Sequence, residues 1–468
     1  MTYSVLRMAK LMTAIVLLLT ACSGGESGTG IGGQPKVSVG TITGFGSVFV
    51  NGIEFDTSAA SIYVNDSPAT EHDLSTGMVV AVVGSTDTSQ AKGEARAVYY
   101  ENEVRGIVVH NKQPGTLEIM GQTVNYDADT LFDSVVATVK TIVDIPVNAV
   151  VEVSGYRIGD NALQATHISL LATDYSLAGQ ITVKGVVESV SGNRFTMGNL
   201  TVLTDTSTQY GDHIPNQTLT VGMNIKVKSQ RGLLNGELQA DNIRLNKREY
   251  AATGASVEVE GIMMNLDAQA GEFRLNGYTV YYSEQTEIQG GAVPTDGLKA
   301  QVDGVLISES QLEAKQVTFR YKNNTHLIAR VSNVDGVKNQ VTVLGVTLQI
   351  TNDTVMKDDD LNIKKFSLLD VNAGDKIEIK AYKSDNTNVI TASQFIRIKA
   401  DSTDTAVEVK GILEQYASDR IVVSGIAVDM SSLSSAPGIS AADIGRSITV
   451  KGTVADNGTE IIATDVST

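Results

Sequence analysis

The residues best suited to acid–base or zinc chemistry are five histidines: His72, His110, His167, His213 and His326. No two have the spacing of a metal motif, and no serine nucleophile elbow accompanies them. Each reads as an ordinary surface or strand residue. "SQAK" (89–92) has the S-x-x-K form of a penicillin-recognising serine, but the partner motifs S-D-N and K-T-G are missing. A polar hairpin tip is the expectation there. "KDDD" (357–360) places three carboxylates in a row. A calcium loop needs oxygen ligands at alternate positions, a central glycine and a terminal glutamate, whereas this run continues "LNIKK". A solvated loop is expected. "GTGIGG" (28–33) satisfies G-x-G-x-x-G without the strand and helix that a dinucleotide site requires. In "YTVYY" (278–282) a period of two puts Tyr278, Val280 and Tyr282 on one face, a core face, and leaves Tyr281 on the other as the one candidate for a sugar-binding strip. The expectation is no catalytic, cofactor or metal site, and no enzyme.

One residue does carry a chemical assignment. "MTYSVLRMAK" supplies Arg7 and Lys10, and "LMTAIVLLL" (11–19) follows as a short apolar run. That run is about half the ~20 residues a membrane span requires, so residues 1–21 read as a secretory signal. "LTAC" (19–22) resembles the lipobox of bacterial lipoproteins. The resemblance implies that Cys22 opens the mature chain and carries the lipid, with Ser23 leaning toward the outer membrane. Cys22 is the sole cysteine, so no intrachain disulfide competes for it. Residues 22–36, rich in glycine and serine, read as a flexible tether.

Loss of Arg7 and Lys10 with the signal takes the formal charge from −17 to −19. A surface so acidic repels nucleic-acid phosphate, and no nucleic-acid partner is expected.

Behind the tether the chain repeats itself. Each unit opens on an alternating strand, usually with a glycine, such as "EVRGIVV" (103–109) or "VEVKGIL" (407–413). A hairpin follows, turning at Gly52, Gly121, Gly198, Gly277, Gly345 and Gly425. Then come a turn glycine with a further strand, as in "TDGLKAQVDG" (295–304), and a closing word with a central alanine, such as "NGELQADNIRL" (235–245). In the second unit Asn148 replaces the turn glycine, which suits a residue tolerant of positive φ. The resulting modules span 37–102, 103–173, 181–249, 256–323, 326–400 and 406–468. Two variable stretches, 131–145 and 431–443, suit a helical turn. Strand, hairpin, optional helical turn and second hairpin predict an all-β tandem array of six five-stranded OB-like barrels, with small β-sandwiches as the alternative. A core of ~70 residues is marginal, so the modules should lean on their neighbours.

The first unit, "GTITGFGSVFVNGIEFDT … LSTGMVVAVVGS … GEARAVYY", resembles a domain-of-unknown-function family of tandem small β-barrel repeats in bacterial lipoproteins. The resemblance implies small β-barrels behind a lipid anchor, and no activity. The functional expectation is a non-catalytic, lipid-anchored cell-envelope protein of the outer membrane, joined to it through lipidated Cys22. Its role would be structural or the binding of an envelope protein or glycan. A glycan- or peptidoglycan-binding protein is the alternative, and a hydrolase of unfamiliar type is a third reading. Each module alone is expected to be too slight to house an active centre.

Overall fold

The computed structural model describes residues 34–468 except 176–178, 212, 248–249, 291–292, 384–388, 402 and 434–437. Cys22, the signal and "GTGIGG" lie outside the described residues. Every regular element among those described is a strand or a single 3-10 turn, so the all-β tandem array expected from the periodicity is the observed architecture.

The second module shows the plan. Its first strand, Val104–Gln113, pairs antiparallel with Thr116–Ile119 and with Val150–Gly159. Thr116–Ile119 pairs with Gln122–Asn125, which runs parallel to the last strand, Ala162–Ala172. That strand returns antiparallel to Val150–Gly159. Hydrogen bonding therefore passes from the first strand through the second, third, fifth and fourth, and back to the first. The same order recurs in the first module, the fourth, the fifth and the sixth. In the third module the first strand is split into Ile181–Val186 and Ser189–Ser191, and the last into Glu237–Gln239 and Asn242–Leu245. The hairpin turns follow their sequence signal: Asn51 and Gly52 stand at φ 54° and 78°, the left-handed pair of a type I′ turn. Asn148 stands at φ 70°.

The alanine word has a physical cause. The last strand bulges there, as the register shift between Ser154–His167 and Gly155–Ala165 shows. A bulge interrupts the ladder, and a buried carbonyl left over needs a donor. A hydroxyl from the loop after the third strand supplies it. Thr130 donates to Ala165 O at 2.9 Å, Thr208 to Ala240 O at 2.9 Å and Thr286 to Ala314 O at 3.0 Å. Thr354 donates to Ala392 O at 2.7 Å and Ser432 to Ala463 O at 3.1 Å. Facing the bulge in the second module is Gly155, where any side chain would collide with Gln164 O. The closing word and the glycine within the preceding strand are thus two halves of one device.

The modules do not lean only on sequence neighbours. Residues Val104 and Arg105 pair with Val183 and Thr182, tying module two to three, and His326–Ile328 pair with Glu408–Lys410, tying five to six. Module one joins module four instead: Val37–Val39 run parallel to Val257–Val259. The cores follow these pairings. Modules two and three share one apolar cluster, modules five and six share another, and Val37, Val39 and Ala81 pack into the core of module four.

Two expectations need correction, and a third holds. The tether drawn over 22–36 overlaps the first strand, which begins at Gln34. Lys36 is buried there, with its ammonium on Asp303 and, at 3.5 Å, Glu258. "KDDD" is not a solvated loop. Asp358 is buried and takes two 2.8 Å hydrogen bonds from Arg397 and one from Ile363 N at 2.8 Å, while Lys357 bridges Asp133 and Asp359. The two expected helical turns are each one 3-10 turn, Ile142–Asp144 and Ala441–Asp443, and the same turn recurs at Glu71–Asp73, Pro215–Gln217 and Leu368–Asp370.

Candidate binding cleft between modules

Where the first, second, fourth, fifth and sixth modules meet, they enclose an open cleft of about 960 Å³. Its floor is built around Glu260, on the first strand of module four and only 5% exposed. The Tyr156 hydroxyl of module two donates to Glu260, and Tyr156 also bonds the Thr41 hydroxyl of module one. Lys299 Nζ lies 3.1 Å from the same carboxylate. Burial pushes the Glu260 carboxyl up, but the charges of Lys299 and Arg320 outweigh it and hold the group below its ordinary range. Burial and the Glu260 charge push the Tyr156 phenol well up, which keeps it a donor. Arg320 reaches onward to module five and forks onto Asp353 with two 2.8 Å bonds. One continuous polar chain therefore locks four modules around the cleft.

The opposite wall is made by the Asp127–Asp129 turn of module two resting on modules four and five. Asn323 Nδ2 donates to Asp129 Oδ1 at 3.1 Å, and Lys380 donates to Ala128 O. Beside them His326 Nε2 and Glu378 Oε1 are 2.9 Å apart. Tyr321 and Tyr382 line the cleft as a stacked pair, with ring centres 5.3 Å apart and planes 18° from parallel. The lining carries five carboxylates and five lysine or arginine side chains.

A second cavity, of about 530 Å³, lies among modules one to four. It is filled with ion pairs: Asp66 accepts from Lys226 and Lys228 at 2.9 Å and from Arg244, and Glu101 meets Lys184 at 3.2 Å. Burial pushes the Asp66 carboxyl up, yet the hydrogen bonds around it hold it well below the carboxylate range.

The residues singled out in the sequence fall mostly elsewhere. His167 is buried against Asp133 at 2.8 Å, His110 faces Glu118 at 3.8 Å, His72 sits in a 3-10 turn and His213 lines the second cavity. Only His326 reaches the cleft. Among the described residues no group of three or more His, Cys, Asp or Glu is arranged to hold a metal ion. Ser89 of "SQAK" bonds Asp87 Oδ1 at 2.6 Å, closing a hairpin tip. Tyr278 and Val280 are core, and Tyr281 is half-buried, its hydroxyl accepting from Gln311 at 3.1 Å. No described helix is long and apolar enough to cross a membrane. Tyr321, Tyr382, Arg320 and Glu260 were not marked by the sequence. The available signal was the glutamate pair in "VEVEG": a strand with valines on one face and acids on the other predicts a solvated outer face, and here modules one and two cover it.

This geometry defines a class: tandem β-modules packed so that their outer faces, rather than their interiors, form the cavity. The family model described as a domain of unknown function (DUF5666) matches residues 39–92, 105–169, 184–244, 260–318 and 329–394, more than half of the chain, and the chain belongs to that family. The sixth module lies beyond these matches, although its strands pair in the same order. No curated protein matches. Among solved structures, a Drosophila chain described as Unr CSD456 is 12% identical, with 46% of this chain and 98% of that chain covered and a TM-score of 0.18. Likeness at that level bears on neither arrangement nor function.

Proposed function

We propose that the chain is a non-catalytic, lipid-anchored protein of the bacterial cell envelope that binds a partner molecule in the inter-module cleft. On this reading the modules are five-stranded OB-like barrels bounded as 37–102, 103–173, 181–249, 256–323, 326–400 and 406–468. The return of hydrogen bonding to the first strand, with the third and fifth strands parallel, supports the barrel over the sandwich. Cys22 is the lipid attachment point, and the outer membrane is the location.

The cleft is the observation that carries the proposal. The expectation of modules too slight for a site considered them singly, whereas five of them together line about 960 Å³, the size of a small-molecule site. Its best-placed ionic groups are already paired: Glu260 with Lys299, Asp353 with Arg320, Glu378 with His326. Paired groups shape and rigidify a wall, which suits recognition better than proton transfer.

The test has two arms in a bacterium with two membranes. The intact chain should take up an alkyne-bearing fatty acid and fractionate with the outer membrane, and Cys22→Ala should abolish both. A photo-crosslinking amino acid at Asn324, on the cleft, should capture an envelope component that the same group at Val337, 96% exposed and outside the cleft, does not. Acylation of the Cys22→Ala chain would refute the anchor. Equal capture from both positions would refute the cleft.

A further inference from the structure

We infer that the ligand of the cleft is a neutral polyhydroxylated molecule, a saccharide, stacked on the Tyr321–Tyr382 pair. The inference rests on the reading of the cleft as a binding surface and names what that surface recognises.

Charge comes first. The whole chain is strongly acidic, at −17, yet the cleft lining balances five carboxylates against five lysine or arginine side chains. Opposite charges set side by side cancel each other's field within a few ångströms, so a strongly charged ligand gains little from this wall. A lipid tail would cover the hydroxyl and amide groups that lie among Leu131, Ile262, Val355 and Ile412 without offering them a partner. What remains is dense in hydroxyl and amide groups.

Those groups are poised for a ligand rich in hydroxyls. Ser393 donates its proton to Asn323 Oδ1 at 2.7 Å, and Thr43 donates to Asn352 O at 2.7 Å. With its proton committed, each hydroxyl oxygen retains lone pairs that can accept from the ligand. Asn324 carries an amide at an exposed position on the lining, and Lys322 and Lys410 supply further exposed donors there. The tyrosine pair adds a flat apolar surface with polar edges. A sugar ring has the complementary character: an apolar face of C–H bonds rimmed by hydroxyls. The pair is also fixed from beneath, because Tyr382 lies on the Lys376–Lys383 strand and Tyr321 follows directly on Arg320, which is held by Asp353.

The experiment is calorimetric titration of the detergent-solubilised full chain with neutral oligosaccharides of hexose and N-acetylhexosamine units. A polyphosphate and a basic peptide serve as charged probes. A neutral oligosaccharide should bind, with an affinity the same at about 50 and about 500 mM salt, since no ion pair is screened. Tyr382→Ala should weaken it about tenfold or more, the scale of one lost stacking platform, and Tyr382→Phe should restore it. Ser393→Trp, which fills the cleft from another strand, should abolish it. Binding of only a charged probe, weakened by salt but blocked by Ser393→Trp, would overturn the saccharide and leave the cleft standing. Saccharide binding indifferent to both Tyr382→Ala and Ser393→Trp would overturn the cleft itself. Absence of binding by every neutral oligosaccharide at millimolar concentration would also overturn the inference.

Discussion

Thr354 donates its hydroxyl to the carbonyl oxygen of Ala392 at 2.7 Å, and the donor and acceptor residues are 38 positions apart. The bond stitches the loop after a hairpin to the bulge of the last strand, and it recurs in the second, third, fourth and sixth modules. Thr354→Val keeps the shape and removes the donor. The Ala392 carbonyl is then buried without that partner, at a cost of about 1–3 kcal/mol. Thr354→Ser should recover most of the loss. Urea unfolding of the three proteins checks this, and a valine variant as stable as the parent would contradict it.

The glycine opposite the bulge makes the complementary prediction. A methyl group at Gly155 would run into Gln164 O, and one at Gly304 into Glu313 O, both backbone atoms that cannot rotate away. Either Gly→Ala change should destabilise by about 1–3 kcal/mol. Gly336→Ala, where nothing lies within reach of an added methyl, should be close to neutral. Thermal unfolding of the three variants separates the cases.

Asp358 and Arg397 are both sealed from solvent. Burial pushes the Asp358 carboxyl up, but Arg397 and the amides of Ile363, Leu361 and Asp360 outweigh it and bring it down to about 2. Its folded value is therefore depressed below the ordinary range near 4. The stabilisation is complete above about 4 and is lost as pH falls toward 2, a window worth roughly 2 kcal/mol. Asp358→Asn should flatten the stability profile in that window. At neutral pH it should cost about 3–5 kcal/mol, because Arg397 loses its main counter-charge while buried. A variant whose acid limb matches the parent's would contradict the assignment.

Lys36 ties the start of the folded chain to module four through Asp303 and Glu258. Lys36→Met should loosen that junction selectively. Amide exchange should accelerate at Val37–Val39 and Val257–Val259, which pair across it, while the His326–Ile328 pairing with Glu408–Lys410 keeps its protection. Uniform acceleration in both places would mean that the modules unfold as one and that the ion pair has no local role.

Much of the fold was legible because strand periodicity and turn chemistry are local. Alternation placed Tyr278 and Val280 on a core face, and Gly52 marked a hairpin turn. The alanine word was visible as a repetition, but its cause was not, since the hydroxyl that answers Ala165 comes from Thr130, 35 residues away. The partnership of modules one and four was equally hidden. Val37 and Val257 open separate units, and nothing local says that their strands pair. The cleft followed from that hidden step: Glu260, Tyr156 and Thr41 sit on three modules and become one network only after the units pack. Histidine and "KDDD" drew notice because their chemistry is conspicuous, whereas Tyr321 and Tyr382 gain significance only by stacking.

The central claim, that the working surface lies between modules, is tested most directly by hydrogen exchange on the intact chain, with and without the ligand captured from the envelope. The account predicts that slowed exchange converges on 127–131, 321–326, 378–382 and 392–394, segments of different modules that share one cleft. Slowing confined to the outward face of a single module would contradict it.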